Sequence, residues 1–425
     1  MIIEGFNSYK KLIISNLSKV SVLNKCRKDF ICEVLMLFLS IKGRINFLQL
    51  ARFGSFGEQR YRQQFEKSFD FLNFNKELIM ANGSGRYIIA FDPSYICKSG
   101  KKTPGLSCYW SGCARKAKWG LEIGGIAVVD IDNHTAFHLE AVQTICPEDK
   151  SLTEWYIELL KERVDKISPI SNVLVADAWF SKIGFVDAII GMKMQLISRL
   201  RDDADLMYLT NSIATGKRGR PKKYDGKINV KNINKEYFQF IEKTEEYTMH
   251  SAIVYSKSMK RNIRLVHVVY LGKNEKQITK LYYSTAVELC PKEILLFYQN
   301  RFQIEFLYRD GKQFTGLCQG QARSENKLNF HFNASLTAIN IAKVEHWLSI
   351  PKVERQTFSM SDVKTMNHNK LLLHQFFELF GINPNKPKNI QLAQQLALYG
   401  TTAAQFLTKY CTIITNTQYN IIFYL

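Results

Sequence analysis

The sequence predicts an α/β protein with a helical N-terminal region, a mixed-sheet core and a mostly β segment inserted into that core. Three observations carry this reading. Apolar residues recur at three- and four-residue spacing through Val34, Leu35, Leu37 and Phe38, the helical period. From about residue 86 that period gives way to continuous apolar runs, Tyr87–Phe91 and Val173–Ala176, of the kind a strand buried on both faces carries. Between 200 and 281 short β-like runs dominate, and helical spacing returns only at Pro291.

In chain order, residues 1–80 read as a helical, DNA-binding domain. A short apolar helix over Phe47–Phe53 is followed by the breaker Gly54-Ser55-Phe56-Gly57 and a basic helix around Arg60, Arg62 and Lys67. That order is compatible with a helix-turn-helix, although any small helical bundle presents it. The run Tyr87–Phe91 ends at Asp92-Pro93-Ser94, and Ile123–Val129 and Ala136–Val142 flank the turn Asp130-Ile131-Asp132-Asn133 as an antiparallel hairpin. A helix over 152–164, the strand Val173–Ala176, a helix near 183–190 and a strand at 195–198 complete the series. Three strands followed by helix, strand, helix, strand resembles the ribonuclease-H-like order. The core is expected over 81–199 and 282–350, interrupted by the β-rich insertion 200–281, with runs at 237–241, 251–255 and 263–271. Helices are predicted from Pro291 to about Lys312 and from 328 to 347. Residues 350–369 read as a polar linker within a C-terminal helical region, 351–425, that ends in a β-rich tail.

Composition narrows the class. The 425 residues carry a net charge of +20 with 46% hydrophobic and 12% aromatic residues, which excludes a disordered chain and points to an anionic partner held by a folded surface. Nine cysteines, an odd number without a CxxC pair, indicate a reducing compartment. Cys108 and Cys113 lack a second pair to complete a zinc site, and His134 and His138 read as strand residues. The N-terminus lacks the pattern of a secretory signal, and the apolar stretch 31–41 is too short to span a bilayer and carries Glu33. A cytoplasmic, nucleoid-associated protein without a membrane partner is expected.

Two carboxylates follow buried strands, Asp92 and Asp177, at the sheet edge where α/β proteins bind ligands. One such Asp more often caps a turn; two favour a shared cation, since paired carboxylates repel without one. A third element places Tyr298, Arg301, Glu305 and Lys312 at offsets 0, 3, 7 and 14. On one helix these fall within a stripe about 60° wide. Phe302, Ile304, Phe306 and Leu307 surround it, so the helix is expected to be buried, with Gly311 able to end it before Lys312.

The Y-x2-R-x3-E-x6-K spacing resembles the signature of the insertion-sequence-4 family of DDE transposases. Phe91-Asp92-Pro93-Ser94 and Asp177-Ala178-Trp179-Phe180 are similar to that family's two Asp regions, separated from each other and from Glu305 by 85 and 128 residues. The resemblance covers about 86–340. It implies that Asp92, Asp177 and Glu305 are catalytic and hold two Mg²⁺ ions, with Mn²⁺ as a substitute. One ion would activate water or a DNA 3′-hydroxyl while the other stabilises the leaving oxygen. Tyr298, Arg301 and Lys312 would grip phosphates. It further implies double-stranded DNA, both element ends and target, as partner, and a homodimer on DNA. Family members that cleave through a DNA hairpin use an aromatic, often Trp, in the insertion; all five Trp here lie outside 200–281, leaving Tyr224 or Tyr237 as substitutes.

Two basic segments support DNA. Residues 98–118 hold Lys98, Lys101, Lys102, Arg115, Lys116 and Lys118 without an acid, interleaved with Tyr109 and Trp110. Residues 217–223 hold five cations, including Lys222 and Lys223, and their Arg218-Gly219-Arg220-Pro221 resembles an AT-hook that lies in a narrow minor groove; a solvated loop has the same composition. The expected activity is cleavage at terminal inverted repeats and joining of 3′ ends to target DNA. The alternatives are a metal-dependent nuclease without strand transfer and a DNA-binding protein that has lost catalysis.

Overall fold

A computed structural model describes residues 4–20, 23–112, 114–210, 222–271 and 277–402. Arg218 and Arg220 of the AT-hook-like stretch, Cys113 and the β-rich tail expected beyond residue 402 lie outside the described residues. Helices open the chain: α1 (Glu4–Lys19), α2 (Lys25–Ser40), α3 (Phe47–Phe53), α4 (Glu58–Phe65) and α5 (Phe71–Asn82). Side-chain oxygens of Asn24, Asn46 and Asp70 accept from backbone N–H groups in the first turns of α2, α3 and α5, fixing where each begins.

The period change near residue 86 marks the start of the sheet: β1 (Tyr87–Cys97), β2 (Ser107–Ser111), β3 (Lys116–Asp130) and β4 (Thr135–Gln143). Then come α6 (Leu152–Lys161), α7 (Val164–Ile167), β5 (Val173–Ala176), α8 (Ile183–Gly191) and β6 (Gln195–Leu200). Six strands follow, β7 (Leu206–Leu209), β8 (Tyr224–Lys227), β9 (Gln239–Lys243), β10 (Tyr247–Ser256), β11 (Arg261–Leu271) and β12 (Gln277–Ser284). The chain closes with α9 (Pro291–Asn300), α10 (Gln303–Gln313), α11 (Glu325–Lys343), α12 (Met360–Leu379) and α13 (Pro387–Ala397).

Among the described residues the strands form one mixed sheet in the order β2-β3-β1-β5-β6-β12-β11-β10-β7-β8, with β4 also on β3 and β9 on β10. β1, β5 and β6 run parallel, and the β3–β4 pair is antiparallel as the hairpin signal predicts. The β-like runs of 200–281 continue this sheet, because β12 pairs with β6. A shared apolar core joins the N-terminal helices to the rest: the rings of Phe30, Phe65 and Phe71 all lie against Phe330 of α11.

α11 is buried along most of its length and lies against β4, which among the described residues pairs with no strand but β3. The free edge of β4 is satisfied by a row of side chains from that helix. Asn329 accepts from the Gln143 N–H; Asn333 accepts from the Ala141 N–H and donates to the Ala141 carbonyl. Asn340 does the same for His138, and Lys343 Nζ donates to the Ala136 carbonyl. An open edge would be a template for foreign strands; here a helix covers it and uses up its hydrogen bonds.

Four expectations need correction. β1 does not end at Asp92-Pro93-Ser94: antiparallel pairing with β3 carries it to Cys97, and only the parallel pairing with β5 stops at Phe91. The helix expected from Pro291 to Lys312 divides at Arg301-Phe302 into α9 and α10. Gly311 does not end α10; it sits inside, where a side chain would press on Leu336 and Leu317. Residues 360–369 are not linker but the first half of α12. Lys364 and Asn367 are buried there and His368 is half-buried, with Lys364 Nζ on the Phe38 carbonyl and His368 Nδ1 on that of Ser40.

Candidate active site

The parallel pairing of β1 with β5 runs out at Phe91 and Ala176, which places Asp92 and Asp177 next to each other just beyond it. Asp92 is the first residue of β1 beyond the parallel ladder, directly across from Gly125 of β3. Asp177 follows the last residue of β5 and caps the short 3₁₀ turn 178–180, accepting from the Ala178 N–H at 2.7 Å. α9 and α10 cross above them. Tyr298 Oη lies 3.4 Å from Asp177 Oδ1, so the third element reaches the second acid.

Arg301 is the hub. Its Nη1 lies 3.4 Å from Asp92 Oδ1 and its Nη2 2.9 Å from Glu305 Oε1, so one guanidinium spans two carboxylates. The arginine side chain is only 10% exposed, and its Nε is buried without a hydrogen-bond partner among the described residues. Burial alone would make it easier to deprotonate; Asp92, Tyr298, Asp177 and Glu305 reverse that, and the net effect holds its proton more tightly. Lys312 Nζ donates to Ser94 Oγ at 2.9 Å, two residues beyond Asp92, so it too lies at the site.

The Asp92 carboxyl is pushed up to about 7, first by burial. Arg301 opposes that shift, while Glu305 and Asp177 add to it. A buried carboxyl with like charges on two sides is under-compensated even with Arg301 and, to a smaller degree, Lys312 opposing the shift. Burial also raises the Tyr298 hydroxyl, with Asp177 contributing in the same direction against Arg301.

The expectation of a buried Glu helix holds for one face. Ile304, Leu307, Tyr308, Asp310 and Gly311 are buried, but Phe302 is 48% exposed and the Glu305 side chain 41%. Glu305 therefore faces solvent at the mouth of the site. Among the described residues, no three His, Cys, Asp or Glu groups stand close enough together to hold a metal ion, and Arg301 bridges two of the carboxylates in question.

Two contributors escaped the sequence reading. Tyr308 Oη donates to the Asp92 backbone carbonyl at 2.6 Å, fixing the strand at the acid itself. Its ring has room only because position 125 is glycine, where a methyl group would overlap the hydroxyl. The signal was present: Gly124-Gly125 in the middle of an apolar strand marks close approach by another group.

The basic segments separate on inspection. Lys98 is not free to hold DNA, since its Nζ donates to the carbonyls of Gly320 and Ala322 at 2.6 and 2.7 Å. Lys101 and Lys102 are exposed. Lys222 and Lys223 are exposed as well, with Lys222 paired to Asp225 at 3.1 Å. The suspected ligands His134 and His138 serve structure: His134 Nδ1 lies 3.2 Å from Asn300 Oδ1, and buried His138 meets Asn333.

Residues 134–341 match the family model for a transposase DDE domain. The matched stretch includes Asp177, Tyr298, Arg301, Glu305 and Lys312 and begins after Asp92. No curated protein matches the chain. The similarity supports a transposase-type, DNA-cleaving and DNA-transferring function, with DNA as the partner. Among the described residues no helix is long and apolar enough to cross a membrane.

Proposed function

We propose that the chain is a DNA transposase of the insertion-sequence-4 type, with Asp92, Asp177 and Glu305 as its catalytic carboxylates. Its core would be ribonuclease-H-like over 81–199 and 282–350, with 200–281 as insertion and 1–80 as a further DNA-binding region. The observation that carries this reading is the convergence of the three acids, from three separate elements, on Arg301 and Tyr298.

The donor set has the chemistry a hard divalent cation takes, since it consists of carboxylate oxygens and includes one acid pushed up to about 7 by burial, with Glu305 and Asp177 adding to the shift. To bind, a cation would have to draw together three acids, two of which Arg301 now bridges and holds apart. Asp92, Asp177 and Glu305 would hold the metal. When bound, two Mg²⁺ ions supply Lewis-acid activation of the attacking and leaving oxygens. The chain's own residues do the remainder. Arg301, with an Nε that has no partner among the described residues and a forked end already on two acids, is suited to take a phosphate oxygen. Lys312, anchored on Ser94, adds a point charge beside the same backbone. Tyr308 keeps Asp92 from retreating along the strand.

The test is a strand-transfer assay with Mg²⁺, candidate terminal repeats and the full chain. Cleaved ends joined to target DNA support the proposal. Hydrolysis without joined products favours the nuclease reading, and absence of metal-dependent cleavage by the intact protein removes the enzyme reading.

A further inference from the structure

The β2–β3 hairpin has a composition that folding does not require. From 93 to 121 the chain carries six cations and no acid. Glu122, the next acid, is buried and accepts from Tyr156 and Thr144. Residues 115–119 are exposed, and two large aromatics stand out of the hairpin, Trp110 at 65% and Trp119 at 51%. A tryptophan normally buries its ring, so two of them presented to solvent on one short ladder call for an occupant.

Register fixes their direction. Trp119 pairs with Cys108 and Trp110 with Ala117, so the alternation of the strands puts both indoles on the same face. Along β3 the same parity runs through Leu121 and Ile123 to Gly125, the partner of Asp92 and the seat of Tyr308. The indoles therefore share a sheet face with the candidate active site. Trp119 lies six residues along β3 from Gly125, about 20 Å at the rise of an extended strand. The indole N–H of Trp119 already donates to the Gly100 carbonyl at 3.3 Å, so covering its ring strands no polar group. Arg115, Lys116 and Lys118 lie on the same hairpin, with Lys101 and Lys102 in the loop before it, and among these the described structure shows no ion pair.

We propose that Trp110 and Trp119 form a stacking platform for unpaired DNA bases, about 20 Å from the acid cluster along the sheet. The occupant is argued from chemistry: the cations select a polyanion, and the exposed ring faces select groups with free flat faces. Bases inside a duplex are already stacked on each other, so the ligand that uses both features is a single strand or a frayed end. The proposal rests on the reading of the chain as a DNA transposase and names the state of DNA that this hairpin holds. It also assigns a function to aromatics outside the 200–281 insertion.

The experiment uses the full-length protein with an oligothymidine and with a duplex of matched length, reading affinity for each, alongside metal-dependent cleavage by the unaltered protein. Trp110→Ala and Trp119→Ala are each expected to weaken oligothymidine binding about ten-fold or more while changing duplex binding far less. Trp119→Phe, which keeps a flat ring, is expected to retain most of the affinity. An oligothymidine carrying 5-iodouracil should crosslink to the hairpin peptide that contains the two tryptophans. Unchanged oligothymidine affinity in both alanine variants, equal losses on the two DNAs, or crosslinks elsewhere with none on the hairpin would each overturn the platform. If the unaltered protein cleaves DNA while the variants show no strand-specific loss, the platform fails and the transposase reading stands. If it binds neither DNA, both fail.

Discussion

Two rows of polar side chains face the same sheet from neighbouring helices, and they are resolved in opposite ways. On α11, Asn329, Asn333, Asn340 and Lys343 meet the free edge of β4 with nearly one partner for each backbone group. On α9 and α10, Tyr298, Arg301, Glu305 and Lys312 meet the ends of β1 and β5 with charges that do not balance. Asp92 is left pushed up to about 7, by burial and then by Glu305 and Asp177 against the pull of Arg301, and Arg301 Nε has no partner among the described residues. The difference is one of charge balance: the scaffold row pairs neutral groups and one lysine with backbone, whereas the row proposed to act on DNA gathers three acids about one buried arginine.

Substitutions should divide the two rows sharply. The largest effect is expected from Asp177→Asn: cleavage falls by about a thousand-fold or more, as for loss of a group that acts only in the transition state, with thermal stability nearly unchanged. Endpoint cleavage and a melting curve on the same preparation check it. The converse change is Asn333→Ala, which leaves both backbone groups of Ala141 and the ring of His138 without their partner. A loss of about 3 kcal/mol or more in urea unfolding is expected, since buried polar groups left unsatisfied cost about 1–3 kcal/mol each.

Protonation sharpens the comparison from the scaffold side. Burial lowers His138 to about 3, against its hydrogen bond to Asn333, and lowers His331 to about 4, against its bond to the Gly316 carbonyl. Both are held neutral in the fold and protonate near 6.5 when unfolded. The unfolded chain therefore binds more protons below that value, and their contribution, complete above pH 6.5, declines as the pH falls towards the folded values. The free energy of unfolding should drop between pH 7 and pH 5 by roughly 2 kcal/mol per histidine. His138→Gln should flatten that slope. Gly125→Ala couples the rows to a smaller degree: the methyl group displaces Tyr308 from the Asp92 carbonyl, and overpacking of this kind costs about 1–3 kcal/mol, read by the same unfolding curves. The smallest contrast lies in the basic loop. Lys101→Ala and Lys102→Ala should each lower the salt slope of DNA binding by about one phosphate contact. Lys98→Ala should instead lower stability, because its ammonium holds the 320–322 turn.

Much of the candidate row was legible in the sequence, because charge in an apolar context is conspicuous. Arg301 and Glu305 are one turn apart and remain bonded to each other even though the helix divides between them, so the spacing survives the break. Asp92 and Asp177 were visible as acids that stop apolar runs; for Asp92 the stop marks the end of the parallel pairing and not of the strand. The scaffold row was not read: Asn329, Asn333 and Asn340 look like ordinary polar interruptions until the edge they cover is known. The 350–369 stretch misled for a related reason, since its Lys, Asn and His are buried on carbonyls supplied by α2 and α12 itself. Lys98 shows the reverse error, a cation in a basic run committed to a turn more than 200 residues away.

The unbalanced row is proposed to work on DNA phosphates. That action is tested most directly by comparing unaltered protein and Glu305→Gln for cleavage of DNA bearing candidate terminal repeats in Mg²⁺, with DNA binding and melting temperature measured on the same samples. The prediction is loss of cleavage with binding retained and a melting temperature equal or higher, because removing Glu305's charge relieves Asp92. Cleavage by Glu305→Gln at the unaltered rate would contradict it.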